Sequence, residues 1–250
     1  MRFDLVTIFP RLCDGPLGEG IVRRAIDRGL VDVRVHDLRD YTADRHRSVD
    51  DVSYGGGPGM VFKPEPLFKA VDAIRVGGGV DAVVLTSPQG RRFTQREAER
   101  LSRLQHVVLL CGRYEGVDDR VRSALATEEL SIGDYVLSGG ELPALVIVDA
   151  VVRLLPGAVG DEASVEVDSF SRGLLDYPHF TRPAEFRGLR VPDVLLSGNH
   201  AEVRRWRKRA SLARTLAVRP DLLPEAELDD EEREILRALM DERGAEHGRD

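Results

Sequence analysis

Residues 1–160 alternate short apolar runs with helix-like stretches, and this restricts the fold more than any other property of the chain. Phe3–Ile8 and Val31–Val35 alternate like strands with one covered face. Ala82–Leu85 and His106–Cys111 are solid apolar runs, expected of strands covered on both faces. Leu130–Ile132 is a shorter candidate. Between them the spacing predicts helices near Gly20–Arg28, Glu65–Arg75, Gln95–Leu104, Val117–Leu125 and Glu141–Leu155. Thr94, with Glu97 three residues on, reads as a capping box for the third. Strands and helices in this order predict a mainly parallel α/β sheet.

The rest of the chain reads differently. Residues 161–174 lack periodicity and are expected to be a flexible linker after a ligand-binding domain over 1–160. Residues 175–250 are expected to form a smaller helical domain with an acidic tail. The net charge of the 250 residues is -7. Residues 221–250 hold twelve acids against four arginines, so the remainder is almost neutral. Within it, His200–Arg219 concentrates seven bases against one acid, Glu202. A local basic patch of this kind is what phosphates select, so overall acidity does not exclude a nucleic-acid partner. Val203, Trp206, Ala210, Ala213 and Leu216 predict the apolar stripe of that helix. Cys13 and Cys111 have no C-x-x-C spacing, which disfavours a disulfide framework or a cysteine zinc site. No apolar run reaches the ~20 residues of a membrane helix. A soluble, cytoplasmic protein is expected.

Neither G-x-G-x-x-G nor G-x-x-x-x-G-K-[ST] is present, which disfavours an ordinary dinucleotide or P-loop site. An open α/β sheet binds ligands at the carboxyl ends of its strands. Three glycine-bearing segments fall there: Thr86-Ser-Pro-Gln-Gly90, Cys111-Gly-Arg-Tyr-Glu-Gly116 and Ile132-Gly-Asp-Tyr-Val-Leu-Ser-Gly-Gly140. Glycine lets backbone N–H and C=O groups come close to a flat ligand, which can read an adenine without a phosphate cradle. Residues 38–62, with Gly55-Gly-Gly-Pro-Gly59, are expected to be a long loop, of the kind that is functional or disordered.

These segments, with Tyr54-Gly-Gly-Gly-Pro-Gly-Met60, Asp168-Ser-Phe170, His179-Phe-Thr-Arg-Pro183 and Val194-Leu-Leu-Ser-Gly-Asn-His200, resemble the bacterial tRNA (guanine-N1)-methyltransferases of the SPOUT class. The resemblance covers about residues 1–223 and leaves the acidic tail out. It implies a deep trefoil knot in the α/β domain, a homodimer, S-adenosylmethionine as methyl donor, tRNA as substrate, and Mg²⁺ as an accessory cation without a dedicated ligand set. Carried over by motif, the cofactor contacts are Leu85, Thr86, Ser87 and Pro88, then Gly112, Tyr114 and Glu115, then Ile132, Gly133, Asp134, Tyr135, Val136, Leu137, Gly139, Gly140 and Pro143. Leu85-Thr86 departs from the Tyr-Leu common in the family, so a ring contact at Leu85 is missing.

The implied reaction is methyl transfer to N1 of guanine 37, next to the anticodon. Neutral guanine carries a proton on N1, so a general base is needed. The resemblance makes Asp168 that base and Arg153 the cation facing O6. A free aspartic acid has a pKa near ~3.9, so proton removal needs concert with methyl transfer, burial of the acid, or stabilisation of the O6 anion. Because Asp168 follows the cofactor domain, a dimer could complete each site with the partner's residue. Arg204, Arg205, Lys208, Arg209 and Arg214 are the expected phosphate contacts, and Asp50 a further RNA-side candidate. Asp176 is expected to be structural or substrate-positioning. Methylation of another RNA atom, or RNA binding without catalysis, remain as rival readings.

Overall fold

The structure, a computed structural model, describes residues 1–160 and 168–247. It has two compact units, Met1–Gly160 and Asp161–Asp250.

The first unit is built on β1 (Arg2–Thr7), β2 (Asp32–Asp37), β5 (Ala82–Arg92), β6 (His106–Cys111) and β7 (Glu128–Ser131). They form one sheet in the order β2-β1-β6-β5-β7, every neighbouring pair parallel. All six residues of β6 are buried, which explains its unbroken apolar sequence. Helices α1 (Asp14–Gly18), α2 (Gly20–Asp27), α3 (Pro64–Val76), α4 (Gln95–Ser102), α5 (Asp119–Ala124) and α6 (Glu141–Val152) complete the unit. The side chains of β6 divide between two cores. Val107 and Leu109 pack with Ala98 and Leu101 of α4 and Ile147 and Val151 of α6. Val108 and Leu110 pack with Leu67, Ala70 and Ile74 of α3 and Val121 of α5. Each fully buried Leu or Val contributes roughly 1.5–3 kcal/mol to folding.

Two sequence expectations change here. The turn expected at Thr86–Gly90 lies inside β5, whose register with β7 shifts between Thr86 and Arg91. A bulge of this kind accommodates Pro88, which has no N–H for a ladder. The long loop expected over 38–62 contains a hairpin, β3 (Asp50–Val52) paired antiparallel with β4 (Met60–Phe62). Phe62 is fully buried and anchors it.

The second unit contains a small hairpin, β8 (Glu185–Phe186) with β9 (Leu189–Arg190), and helices α7 (Asp193–Leu196), α8 (His200–Val218) and α9 (Asp230–His247). Asn199 caps α8 by accepting from the Ala201 and Glu202 amides. Its core is Leu174, Leu212, Ile235 and Leu239. The expected stripe on α8, Val203, Trp206, Ala210, Ala213 and Leu216, is half-buried, with Ala213 and Leu216 packed against this core; Leu212 and Thr215, beside it, are the fully buried residues. The acidic segment is helical, as its sequence reads over 225–243, and Ile235 and Leu239 of α9, four residues apart, pack in this core. Of the expected linker, 161–167 lie outside the described residues. Residues 168–174 are tied to the second unit: Leu174 is in its core, and Arg172 pairs with the buried Glu232 at 2.9 Å.

Candidate active site

A cleft of about 350 Å³ opens at the carboxyl ends of β5, β6 and β7, inside the range of small-molecule sites. Leu85, Thr86, Ser87 and Pro88 line it from β5. Gly112, Tyr114 and Glu115 line it from the segment after β6. Ile132, Gly133, Tyr135, Val136, Leu137, Gly139, Gly140 and Pro143 line it from the segment that leads into α6 and from its first turn. Asp134 is the exception among the residues proposed from sequence: its carboxylate pairs with Arg92 at 3.0 Å, away from the lining. Gln89, Arg113, Ser131 and Ser138 also line the cleft. Gln89, Arg113 and Ser138 lie in the same glycine-bearing segments and Ser131 directly precedes one, and that position was the only sequence signal for them.

Gly140 holds the three segments together. Its N–H donates to Gly112 O at 2.8 Å. The buried Thr86 hydroxyl lies 3.0 Å from Leu110 O and 3.3 Å from Gly140 O. A Cβ on Gly140 would stand 2.1 Å from Thr86 Oγ1, 2.8 Å from Cys111 Cα and 2.9 Å from Gly112 N. Only glycine permits that approach. Next to it, Arg113 and Gly139 form a β-bridge.

Tyr114 has φ 60°, a left-handed conformation that costs a non-glycine residue of order 1–3 kcal/mol. Its ring meets Phe62 edge-on, centroids 5.5 Å apart. The loop that holds Glu115 is fastened to β4, since Glu115 N–H donates to Met60 O at 3.0 Å and Phe62 N–H to Gly116 O at 3.0 Å. Thus the hairpin carrying Asp50 is attached directly to a wall of the cleft. Asp50 itself is half-buried in β3, opposite Phe62.

The two thiols near the sheet are unreactive by construction. Burial, helped by the charge of Glu141, pushes Cys13 up to about 11 and Cys111 well above the usual thiol range. Among the described residues no group of three or more His, Cys, Asp or Glu is arranged to hold a metal ion.

Arg153 caps the C-terminal end of α6, its N–H donating to Asp149 O at 3.2 Å. At 1.5 Å per residue, it stands roughly 18 Å along the helix from Glu141 at the cleft end. Asp168 belongs to the second unit, where its carbonyl accepts from the Ser171 hydroxyl at 2.8 Å, and it is partly buried. Asp176 accepts from its neighbour's amide (Tyr177 N, 2.7 Å) and lies 2.7 Å from His179 Nε2.

The basic helix is divided in its surroundings. Arg204, Arg205 and Arg214 are exposed. Lys208 Nζ is held between Asp229 at 2.6 Å and Glu231 at 2.7 Å, and Arg209 pairs with Glu242 at 2.7 Å. The acidic segment therefore neutralises two of the five bases expected to meet phosphate.

The family profile of tRNA (guanine-1)-methyltransferase TrmD matches residues 1–225. A tRNA (guanine-N(1)-)-methyltransferase of Geobacter sulfurreducens is 53% identical over 239 residues, covering 96% of this chain and 98% of that protein. The enzyme of the same name from Geobacillus kaustophilus is 53% identical over 243 residues, with 97% and 100% covered. That of Pelotomaculum thermopropionicum is 55% identical over 242 residues, with 96% of each chain covered. With matches of this length and identity, the chain belongs to the tRNA (guanine-1)-methyltransferase TrmD family.

Proposed function

We propose that this chain transfers a methyl group from S-adenosylmethionine to N1 of guanine 37 of tRNA, next to the anticodon, as a cytoplasmic homodimer with a trefoil-knotted cofactor domain. The observation that carries the reading is the cleft itself, in a chain of this family. Three crossing segments at strand ends present backbone donors and acceptors where a Cβ at Gly140 has no room. That surface suits a flat heterocycle, and the volume suits a small ligand. Bound there, the cofactor supplies a methyl group on a sulfonium, an already activated electrophile.

The chain's own residues then manage the acceptor. Asp168 takes the N1 proton as the base. Arg153 faces O6 and stabilises the negative charge that develops there. The length of α6 supports the homodimer: Arg153 is a helix length away from the cleft of its own chain, so the cleft it serves is the partner's. Leu142 and Val146 support it too. They are 55% and 46% exposed, one turn apart on a helix that is otherwise largely buried, and are suited to a partner surface. Among the described residues no helix is long and apolar enough to cross a membrane. The tRNA stem would meet the exposed Arg204, Arg205 and Arg214, with Lys208 and Arg209 reaching phosphate only by exchanging their acidic partners. Among the described residues no group of three or more His, Cys, Asp or Glu is arranged to hold a metal ion, and no step is assigned to Mg²⁺.

The test is methylation of an unmodified tRNA transcript with labelled cofactor, followed by nucleoside mapping. N1-methylguanosine at position 37 is expected, with Asp168→Asn losing at least about 10²-fold in turnover, as for a general base, while cofactor affinity is kept. Product at another atom, or full activity of Asp168→Asn, refutes the mechanism.

A further inference from the structure

Behind the cleft wall lies a buried ionic group that takes no part in the chemistry above. Glu141, the first residue of α6, is 1% exposed. Its Oε1 accepts from the Thr7 hydroxyl at 2.6 Å, and both carboxylate oxygens lie 3.1 Å from Arg113 Nε. Thr7, also fully buried, is the last residue of β1, which contributes nothing to the cleft. Arg113 does line the cleft, in the loop between Gly112 and Tyr114, and its guanidinium lies over the Phe9 ring at 4.4 Å. Phe9 in turn is set by its N–H donating to Thr7 Oγ1 at 2.9 Å. The carboxylate thus joins three chain segments, two of which carry cleft residues. It also fills the space beside Gly139, where an added Cβ would stand 2.5 Å from both Arg113 Nε and Glu141 Oε2.

A buried carboxylate is retained against its desolvation cost only when its hydrogen bonds are good, and removing one partner leaves the other charge unpaired. Here the charge is placed where the loop after β6 must meet the segment entering α6. We propose that Glu141 is a positioning residue for methyl-donor binding: with Thr7 behind it, it fixes Arg113 and so sets the spacing between the 112–116 and 133–140 walls. This rests on the reading of the cleft as the S-adenosylmethionine site. Neither Glu141 nor Thr7 lines the cleft, so the effect travels only through the walls.

Titration calorimetry with S-adenosylmethionine, beside tRNA binding and thermal melting, tests it. The parent enzyme is measured first; failure of the parent to bind the cofactor removes the functional reading and this inference with it. With the parent binding, Glu141→Ala weakens cofactor affinity about tenfold or more, the scale of a lost pair of charge-assisted hydrogen bonds, while tRNA affinity stays within about twofold. Glu141→Gln, whose amide oxygen still accepts from Thr7 and Arg113, recovers most of the loss. Thr7→Val removes two hydrogen bonds, the one given to Glu141 and the one accepted from Phe9 N–H, with little change of shape, and weakens the cofactor about threefold or more. It decides the matter if Glu141→Ala does not fold. Cofactor affinity unchanged in every folded variant, or loss of cofactor and tRNA affinity in proportion to the melting temperature, overturns the proposal.

Discussion

Replacing Gly140 by alanine isolates the geometry on which the cleft depends. The backbone of Gly140 has φ -82° and ψ -4°, which alanine adopts freely, so the perturbation is purely steric. The added methyl would stand 2.1 Å from the Thr86 hydroxyl and under 3 Å from backbone atoms of Cys111 and Gly112. Thr86 cannot turn aside without leaving Leu110 O, and the backbone atoms lie at the buried end of β6 and directly after it. The segment entering α6 must therefore move out, breaking the 2.8 Å bond from Gly140 N to Gly112 O. Overpacking of this kind costs about 1–3 kcal/mol. All the displaced groups line or adjoin the cleft, so that cost falls largely on ligand affinity, a loss of roughly five- to 150-fold. Calorimetric titration with S-adenosylmethionine measures it, with Gly79→Ala as control, since a Cβ there meets nothing within 4 Å. If Gly140→Ala binds cofactor within a factor of two of the parent, the crossing of the three segments is not what shapes the site.

Two further outcomes follow from paired charges. Lys208→Ala is expected to change tRNA affinity less than twofold while lowering the melting temperature, because Asp229 and Glu231 already hold its ammonium; Arg204→Ala with Arg205→Ala is expected to weaken tRNA binding and flatten its salt dependence by a slope of about 1.5. Equal losses in a filter-binding salt series would contradict that division. Asp4 is fully buried. Burial pushes its carboxyl up, but hydrogen bonds from His36, Arg2 and His106 outweigh it and hold the group well below the usual carboxylate range. A carboxyl lowered by folding stabilises above its unfolded value and loses that contribution as pH falls toward the folded value. The melting-temperature gap between parent and Asp4→Asn should accordingly be widest above about pH 4 and shrink below it; a gap constant from pH 7 to pH 2.5 would show that the ionised form contributes nothing.

How much was legible beforehand varies with the range of the interaction. The unbroken apolar run at His106–Cys111 announces a strand covered on both faces, and the two cores that flank β6 account for it. The stripe on α8 is legible in part: Ala213 and Leu216 pack against the core of the second unit, while Leu212 is sealed there only by the packing of Ile235 and Leu239 from another helix. The acidic residues of α9 read as a solvated end until the fold sets Glu242 against Arg209.

Sequence by itself determined the strand and helix alternation, the glycine-bearing segments at strand ends, and the motifs that carry the family. These depend on neighbours along the chain, whose spacing is fixed by covalent geometry. Tertiary structure alone decided that Thr7 meets Glu141 across 134 positions, that Asp134 turns to Arg92 rather than into the cleft, and that Arg153 stands at the end of α6 remote from its own chain's cleft. Such contacts depend on how the chain crosses itself, and no local pattern of residues encodes which distant segments a given strand order brings together.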